Sequence, residues 1–258
     1  MRRVVFNQKG GVGKSSITVN LAAISAANGK RTLVVDLDPQ CNASQYLLGM
    51  NAFAGGRGPS PHIGDFFEQT LSFSLKTKQP MSYVHKTPYD RLFVLPSDSK
   101  LGDIEHLLES KHKIYKLKGL LKSLEKEFDV IYVDTPPAYN FYTLSALIAC
   151  DRCLIPFDCD AFSRQALYSL LENIQEATED HNDELEVEGI IVNQFQPRAR
   201  LPQQLVDELK AEGLPLLDVF LSSSVIMRES HDQAKPLVYL APKHKLTEQF
   251  QQLAGLLS

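Results

Sequence analysis

The stretch that most limits what this chain can fold into lies at its beginning. A short apolar run, Arg3 to Phe6, leads into Lys9-Gly10-Gly11-Val12-Gly13-Lys14-Ser15-Ser16. Ile17, Leu21 and Ile24 then recur at helical spacing until Gly29 supplies a stop. A strand, a glycine-rich bend and a helix start in that order leave few architectures open. The glycines let the backbone turn so that successive N–H groups point inward. The helix start adds unpaired N–H groups and a partial positive charge. Such a cradle suits an anion, and a lysine followed by a hydroxyl residue narrows the anion to nucleotide phosphates. Gly10, Gly11, Val12, Gly13, Lys14, Ser15 and Ser16 are therefore the predicted phosphate-binding residues. Lys14 would neutralise β- and γ-phosphate charge, and the Ser15 hydroxyl would coordinate Mg²⁺. The block departs from the common G-x-x-x-x-G-K-[ST] pattern: Gln8 holds the first glycine position, and a second lysine, Lys9, follows it.

The rest of the chain repeats the strand–helix alternation. Thr32 to Val35, Arg91 to Leu95, Val130 to Val133, Cys153 to Pro156 and Gly189 to Val192 all read as buried strands. Continuous apolar strands separated by helices predict an α/β fold: a mostly parallel twisted sheet with helices on both faces. Phe250, Leu253, Leu256 and Leu257 form one stripe of a last helix. Gly55 to Pro61 read as a loop, and the segment from there to about Lys86 gives no clear pattern. The length of 258 residues fits one domain spanning 1–258.

The net charge of −4 excludes a globally basic nucleic-acid binder, so any DNA contact needs a local patch. No window approaches the roughly 18 apolar residues of a membrane span. The motif starts too early to leave room for a signal peptide, which predicts a cytoplasmic location. Cys41, Cys150, Cys153 and Cys159 lack the second pair or nearby histidines of a zinc site and read as reduced structural cysteines.

Two carboxylates close the strand at Thr32 to Val35: Asp36 and Asp38, in Asp36-Leu37-Asp38-Pro39-Gln40-Cys41-Asn42. Ligands of open α/β sheets bind at that end of a strand. A period of two puts Asp36 and Asp38 on one side if the strand continues. Asp38 equally suits a helix N-cap, and Asp36 a purely structural place.

The glycine-rich block resembles the deviant Walker A loop of the ParA/MinD family, and the resemblance covers nearly the whole chain. The D-x-D-P-Q-x-N block is similar to the family's own. Phe128 to Pro137, with Asp134 closing the strand, resembles its Walker B. Asp151 to Pro156, Phe162 to Leu171 and the stretch from Ala234 to Lys243 with the last helix are similar to later family segments. The resemblance implies a P-loop NTPase fold of the SIMIBI type, with ATP and Mg²⁺ as cofactors. It implies that Lys9 reaches across a homodimer formed around ATP to the partner's nucleotide, as an arginine finger does. Catalysis would then fall to Lys9, Lys14 and Asp38, with Asp38 activating water. Ser15, Asp36 and Asp134 would hold or arrange Mg²⁺. Asn193, at a strand end, would border the base, although an asparagine there also suits a turn cap.

The loop begins at residue 9, which is similar to the short ParA class. For such proteins the resemblance implies ATP-dependent, sequence-independent binding to duplex DNA, here through Arg198, Arg200, Arg228 and Lys243. It also implies a stimulating ParB-like adaptor and nucleoid association. From Glu186 onward, however, seven basic residues face nine acidic ones, and Ser223 and Ile226 stand where many relatives carry arginine. MinD-like members end in a basic amphipathic helix; nothing after Lys245 is basic, so no membrane anchor is expected. The implied function is a partitioning or positioning switch for DNA or protein cargo. The alternative is a metabolic P-loop ATP-dependent amidoligase, which would need a further substrate pocket. An iron–sulfur-carrying relative would need cysteines elsewhere than Cys150 and Cys153.

Overall fold

Alternation of buried side chains within each strand divides the molecule into two layers. The computed structural model describes residues 1–53, 58–72, 78–159, 163–196 and 200–257. Among these, seven strands form one sheet: β1 (Arg2–Val5), β2 (Thr32–Asp36), β3 (His85–Lys86), β4 (Leu92–Leu95), β5 (Val130–Asp134), β6 (Arg152–Asp158) and β7 (Glu186–Asn193). Their order is β3-β4-β2-β5-β1-β6-β7, parallel throughout except for β3 against β4.

Val5, Val34, Tyr132 and Leu154 point to one face. They pack under α1 (Lys14–Ala27) and α2 (Asn42–Leu48). Val4, Leu33, Ile131 and Ile155 point to the other. That face carries α3 (Ile63–Leu71), α4 (Lys100–Ser110), α5 (Lys116–Leu124), α6 (Phe141–Ala149), α7 (Ser163–His181) and α8 (Arg200–Ala211). The chain then returns to the first face with α9 (Val225–Asp232), α10 (Leu237–Leu240) and α11 (Lys245–Leu256).

α1 is the hub of the first layer. Ile17, Val19, Leu21 and Ile24 are almost fully buried, and Ala22, Ala23 and Ala26 let neighbouring elements close on the remaining sides. Each of its large apolar side chains contributes about 1.5–3 kcal/mol by leaving water. The helix ends as the sequence indicates, at Gly29 with φ +90°.

All six strands expected from the sequence are present, with shifted ends. β6 runs past Pro156 to Asp158 because β1 stops at Val5, so no neighbour on that side requires the missing N–H; Asn7 instead donates to the Pro156 carbonyl at 2.7 Å. β3 is an addition, a two-residue antiparallel edge too short to show a pattern. The segment left unread contains α3 and a 3₁₀ turn at Pro80–Tyr83. Residues 55–57 of the expected loop lie outside the described residues. In α11, Phe250, Leu253 and Leu257 are buried as expected, but Leu256 is 53% exposed. Leu256 and Leu257 are adjacent and lie about 100° apart on a helix, so only one of them faces the layer.

Arg3 ties the chain's two ends together. Its guanidinium is held by Glu188 through two bonds of 2.7 Å, donates to the Leu257 carbonyl, and lies over the Tyr132 ring. The group is only 5% exposed. Glu188→Ala leaves that cation buried without its carboxylate and should cost about 3 kcal/mol of stability. Urea unfolding measures this. A change within about 0.5 kcal/mol, as at ordinary surface sites, would show that the pair is not what fastens the C-terminus.

Candidate functional site

The loop after β1 folds over the N-terminus of α1. Gly13 occupies the N-cap position in a left-handed conformation (φ +92°), and no side chain caps the helix. Its first-turn N–H groups therefore face the cleft. Glycine is favoured here: φ +92° strains any L side chain, and a Cβ would lie 2.3 Å from Asn193 Nδ2, which would have to move. Lys14 is 7% exposed, and its Nζ donates to the Lys9 carbonyl at 3.0 Å. Burial lowers its pKa, against the pull of Asp134 and Asp38. Val12 is fully buried, so it offers the cleft only its backbone.

Asp36 and Asp134 are register partners on the neighbouring strands β2 and β5. They share the parity of Val34 and Tyr132, so both point toward α1, and both are fully buried. Burial raises both pKa values: Asp36 is pushed up to about 7, and Asp134, further disfavoured by the Asp36 charge, lies well above the ordinary carboxylate range. Their hydrogen bonding differs. Asp36 accepts from Asp38 N at 3.0 Å, Ser44 N at 2.9 Å and Ser44 Oγ at 2.6 Å, which occupies both its oxygens. Asp134 accepts from Thr18 at 3.4 Å and is hydrogen-bonded by Ser15, but its Oδ2 is buried with no partner.

That orphaned oxygen beside a serine hydroxyl is the donor set a divalent cation completes. Among the described residues no group of three or more His, Cys, Asp or Glu gathers as a metal cage. The Asp134 carboxylate and Ser15 hydroxyl suit Mg²⁺, which typically takes one or two protein oxygens plus phosphate and water. Asp36, with both oxygens bonded within the protein, holds the β2–α2 turn.

Asp38 corrects two expectations. The strand ends at Asp36, so Asp38 is not on a continued strand. The helix that follows is preceded by Cys41, so Asp38 is not its N-cap. Instead Asp38 closes a tight turn, accepting from Gln40 N at 2.9 Å, and its own carbonyl receives Ser97 Oγ at 2.6 Å. Its carboxylate, 5% exposed, lines the same cleft as Lys14, and burial raises its pKa.

The cleft has a volume of about 640 Å³ and is lined by the loop, Asp38, Pro137, and Asn42, Gln45 and Tyr46 of α2. Lys9 is not among its lining residues. Its ammonium reaches sideways to Asp158 at the end of β6, with Nζ–Oδ distances of 2.7 and 3.0 Å. A second cavity of about 310 Å³ adjoins the cleft, bordered by Asn193, Gln194, Ser222–Ser224, Met227 and Arg228. Asn193 does line it, but its amide N–H₂ donates to the Val12 carbonyl at 2.8 Å, so that donor is taken by the loop.

Of the four expected DNA residues, the three that are described are not gathered. Arg198 lies outside the described residues. Arg200 opens α8 on the second layer, whereas Arg228 on α9 and Lys243 in the turn before α11 are exposed on the first. Sequence reading also missed Ser44, Ser97, Tyr46 and His231. Ser44 lies within two residues of the acidic block and could have been found as the start of a helix facing it. The other three are brought in only by tertiary folding.

The raised carboxylates set a pH dependence. A group whose folded pKa lies above its unfolded value stabilises below the unfolded pKa, about 4 for Asp, and loses that contribution as pH rises through the folded value. In metal-free buffer the wild type should therefore lose melting temperature between about pH 5 and 8 relative to Asp36→Asn, because Asp36 titrates near 7. A difference between the two proteins that does not change with pH would overturn this.

A family model described as an AAA domain matches residues 3–187. The chromosome partitioning protein ParA of Myxococcus xanthus is 31% identical over 95% of this chain and 83% of its own length. The structure of apo McdA from Cyanothece superposes with a TM-score of 0.84 at 22% identity, covering 100% of this chain and 99% of that one. Cobyrinic acid a,c-diamide synthase of Mycobacterium smegmatis, solved with an ATP analogue and magnesium, gives 0.81 at 22% identity over 98% and 92%. At those identities the two structures share a fold with this chain. Among the described residues no helix is long and apolar enough to cross a membrane. The chain belongs to the ParA/MinD family of P-loop ATPases that partition or position cargo.

Proposed function

We propose that this protein is an ATP-dependent dimerising switch that partitions or positions DNA or a protein cargo and hydrolyses ATP when an adaptor protein stimulates it. The observation that carries this reading is the direction of Lys9. A cation placed by sequence beside the phosphate loop is held on Asp158, outside the cleft of its own chain. In this reading the cleft receives that charge from Lys9 of a second copy.

In this reading the loop amides and Lys14 hold the phosphates, and Ser15 and Asp134 hold Mg²⁺, which neutralises phosphate charge when bound. Asp36 keeps the β2–α2 turn in place. Asp38, raised in pKa and fixed by Gln40 and Ser97, orients and deprotonates the attacking water. Asn193 positions the loop against the base side. Arg198, Arg200, Arg228 and Lys243 supply phosphate contacts to nonspecific duplex DNA only when two copies add their charges, since affinity climbs steeply with the number of contacts.

Lys9→Ala should abolish ATP-dependent dimerisation and lower kcat on the order of 10³-fold, the scale of a charge supplied in trans. Asp38→Ala should keep the dimer and lose hydrolysis. Sedimentation and phosphate release measure these. A Lys9→Ala protein that dimerises and turns over normally would remove the dimer switch.

Random-sequence duplex binding in ATP, in ADP and without nucleotide tests the DNA surface. Binding only with ATP, weakened about 10³-fold between roughly 50 and 200 mM salt, supports it. Absence of binding in all three states, with dimerisation intact, would assign the switch to a protein surface instead.

A further inference from the structure

The phosphate cleft and the second cavity share four lining residues: Gly11, Gly13, Ser16 and His231. The first three belong to the loop and the first turn of α1. His231 comes from α9, 215 residues beyond Ser16, and faces them across the neck: its Nε2 lies 2.9 Å from Ser16 Oγ. A nucleotide with its phosphates in one cavity and its base in the other has to pass between these four.

The imidazole is also held in place. The Tyr46 ring meets it edge-on, with centroids 4.8 Å apart at 86°. The Tyr46 hydroxyl bonds to Ser230, the residue before His231, which is fully buried and donates on to the Lys235 carbonyl at 2.5 Å. Asn20 of α1 donates to the same Tyr46 hydroxyl at 3.2 Å and to the Ser16 carbonyl at 2.8 Å. Ser16, Tyr46 and His231 thus sit in one rigid set of contacts joining α1, α2 and α9, which is how a binding group is preorganised.

We propose that His231 is a nucleotide-binding residue, its imidazole closing the neck between the two cavities and donating to the α-phosphate beside the Ser16 hydroxyl. This rests on the nucleotide reading of the cleft. The γ-phosphate end is set by Lys14 and Asp38, so a residue at the neck meets the part that ATP and ADP have in common. His231 therefore sets affinity for both rather than telling them apart.

Partial burial lowers the pKa of the ring, which is neutral above pH 7 and a hydrogen-bond donor there. The ionisable groups around it are Tyr46 on α2, Arg228 and Asp232 on its own helix, and Lys14 and Asp38 in the cleft. Below its pKa the ring adds a positive charge at the neck.

The test is titration with fluorescent mant-ADP and mant-ATP at about pH 8 and 6, on wild type, His231→Gln and His231→Phe. Melting of the nucleotide-free proteins checks folding. If His231→Phe does not fold, His231→Gln carries the test. His231→Phe should weaken both nucleotides by about tenfold, the scale of one hydrogen bond to a charged group. The wild type should gain affinity at the lower pH beyond any gain seen in His231→Gln, since a ligand's own protonation affects both proteins alike. A folded variant equal to wild type in affinity and pH response, with Lys14→Ala deficient in the same assay, overturns the role of His231 and leaves the nucleotide site standing. A wild type that binds neither nucleotide overturns the site itself.

Discussion

Two carboxylates held side by side where neither can be fully hydrated control the C-terminal edge of the sheet. Asp36 and Asp134 lie on adjacent strands, both aimed at α1 and both buried. Close by, Lys14 is buried as well, and its burial works against its own charge. Each group is poorly solvated and imperfectly matched by its neighbours. The carboxylates favour an added cation; the lysine and the uncapped start of α1 favour an added anion. A magnesium–nucleotide complex supplies both at once. Binding of the metal and of the phosphates is therefore expected as a single linked event, because either charge alone improves one half of the site and worsens the other.

The surroundings of Asp36 show how the geometry is kept despite this tension. Ser44 donates to Asp36 from both its backbone and its hydroxyl, and its hydroxyl accepts from Ser97 N at 2.9 Å. Ser97 in turn donates to the Asp38 carbonyl. The β2–α2 turn is thereby clamped between the start of α2 and the segment after β4. The next residue, Asp98, accepts from Gly58 N and Lys100 N, both at 2.9 Å. A displacement of Asp38 has to be shared with the loop entering α3, on the far side of the sheet. Charge tension at the strand ends is thus borne by hydrogen bonds spread over three elements as well as by the nearby Lys14.

What the sequence made legible follows from the range of the interactions involved. The phosphate loop, the six main strands and the two acidic strand ends depend on neighbours within a few residues, and their chemistry shows in the order of residue types. The direction of Lys9 could not be read this way, since its partner Asp158 is 149 residues away. Nor could Asp38, whose orientation is set by Ser97, or the neck residue His231. Asn193 was legible as a strand end near the site. Its donor is committed to Val12, however, because Gly13 brings the loop backbone unusually close. Leu256 misled for a different reason: a stripe of leucines extended by one residue has turned off the buried face.

The same helix start that faces the phosphates also touches the last third of the chain. Asn193 and Gln194 donate to the Val12 and Gly11 carbonyls at 2.8 Å, and His231 meets Ser16. Arg228 lies one turn before His231 on α9, at the edge of the second cavity. Ser230, between them in sequence, is buried and bonded to Tyr46, which anchors this short helix against α2. His231 is thus the side chain that links the first turn of α1 to the short helix carrying the exposed Arg228. The connection is short because α1, α2 and α9 share one layer.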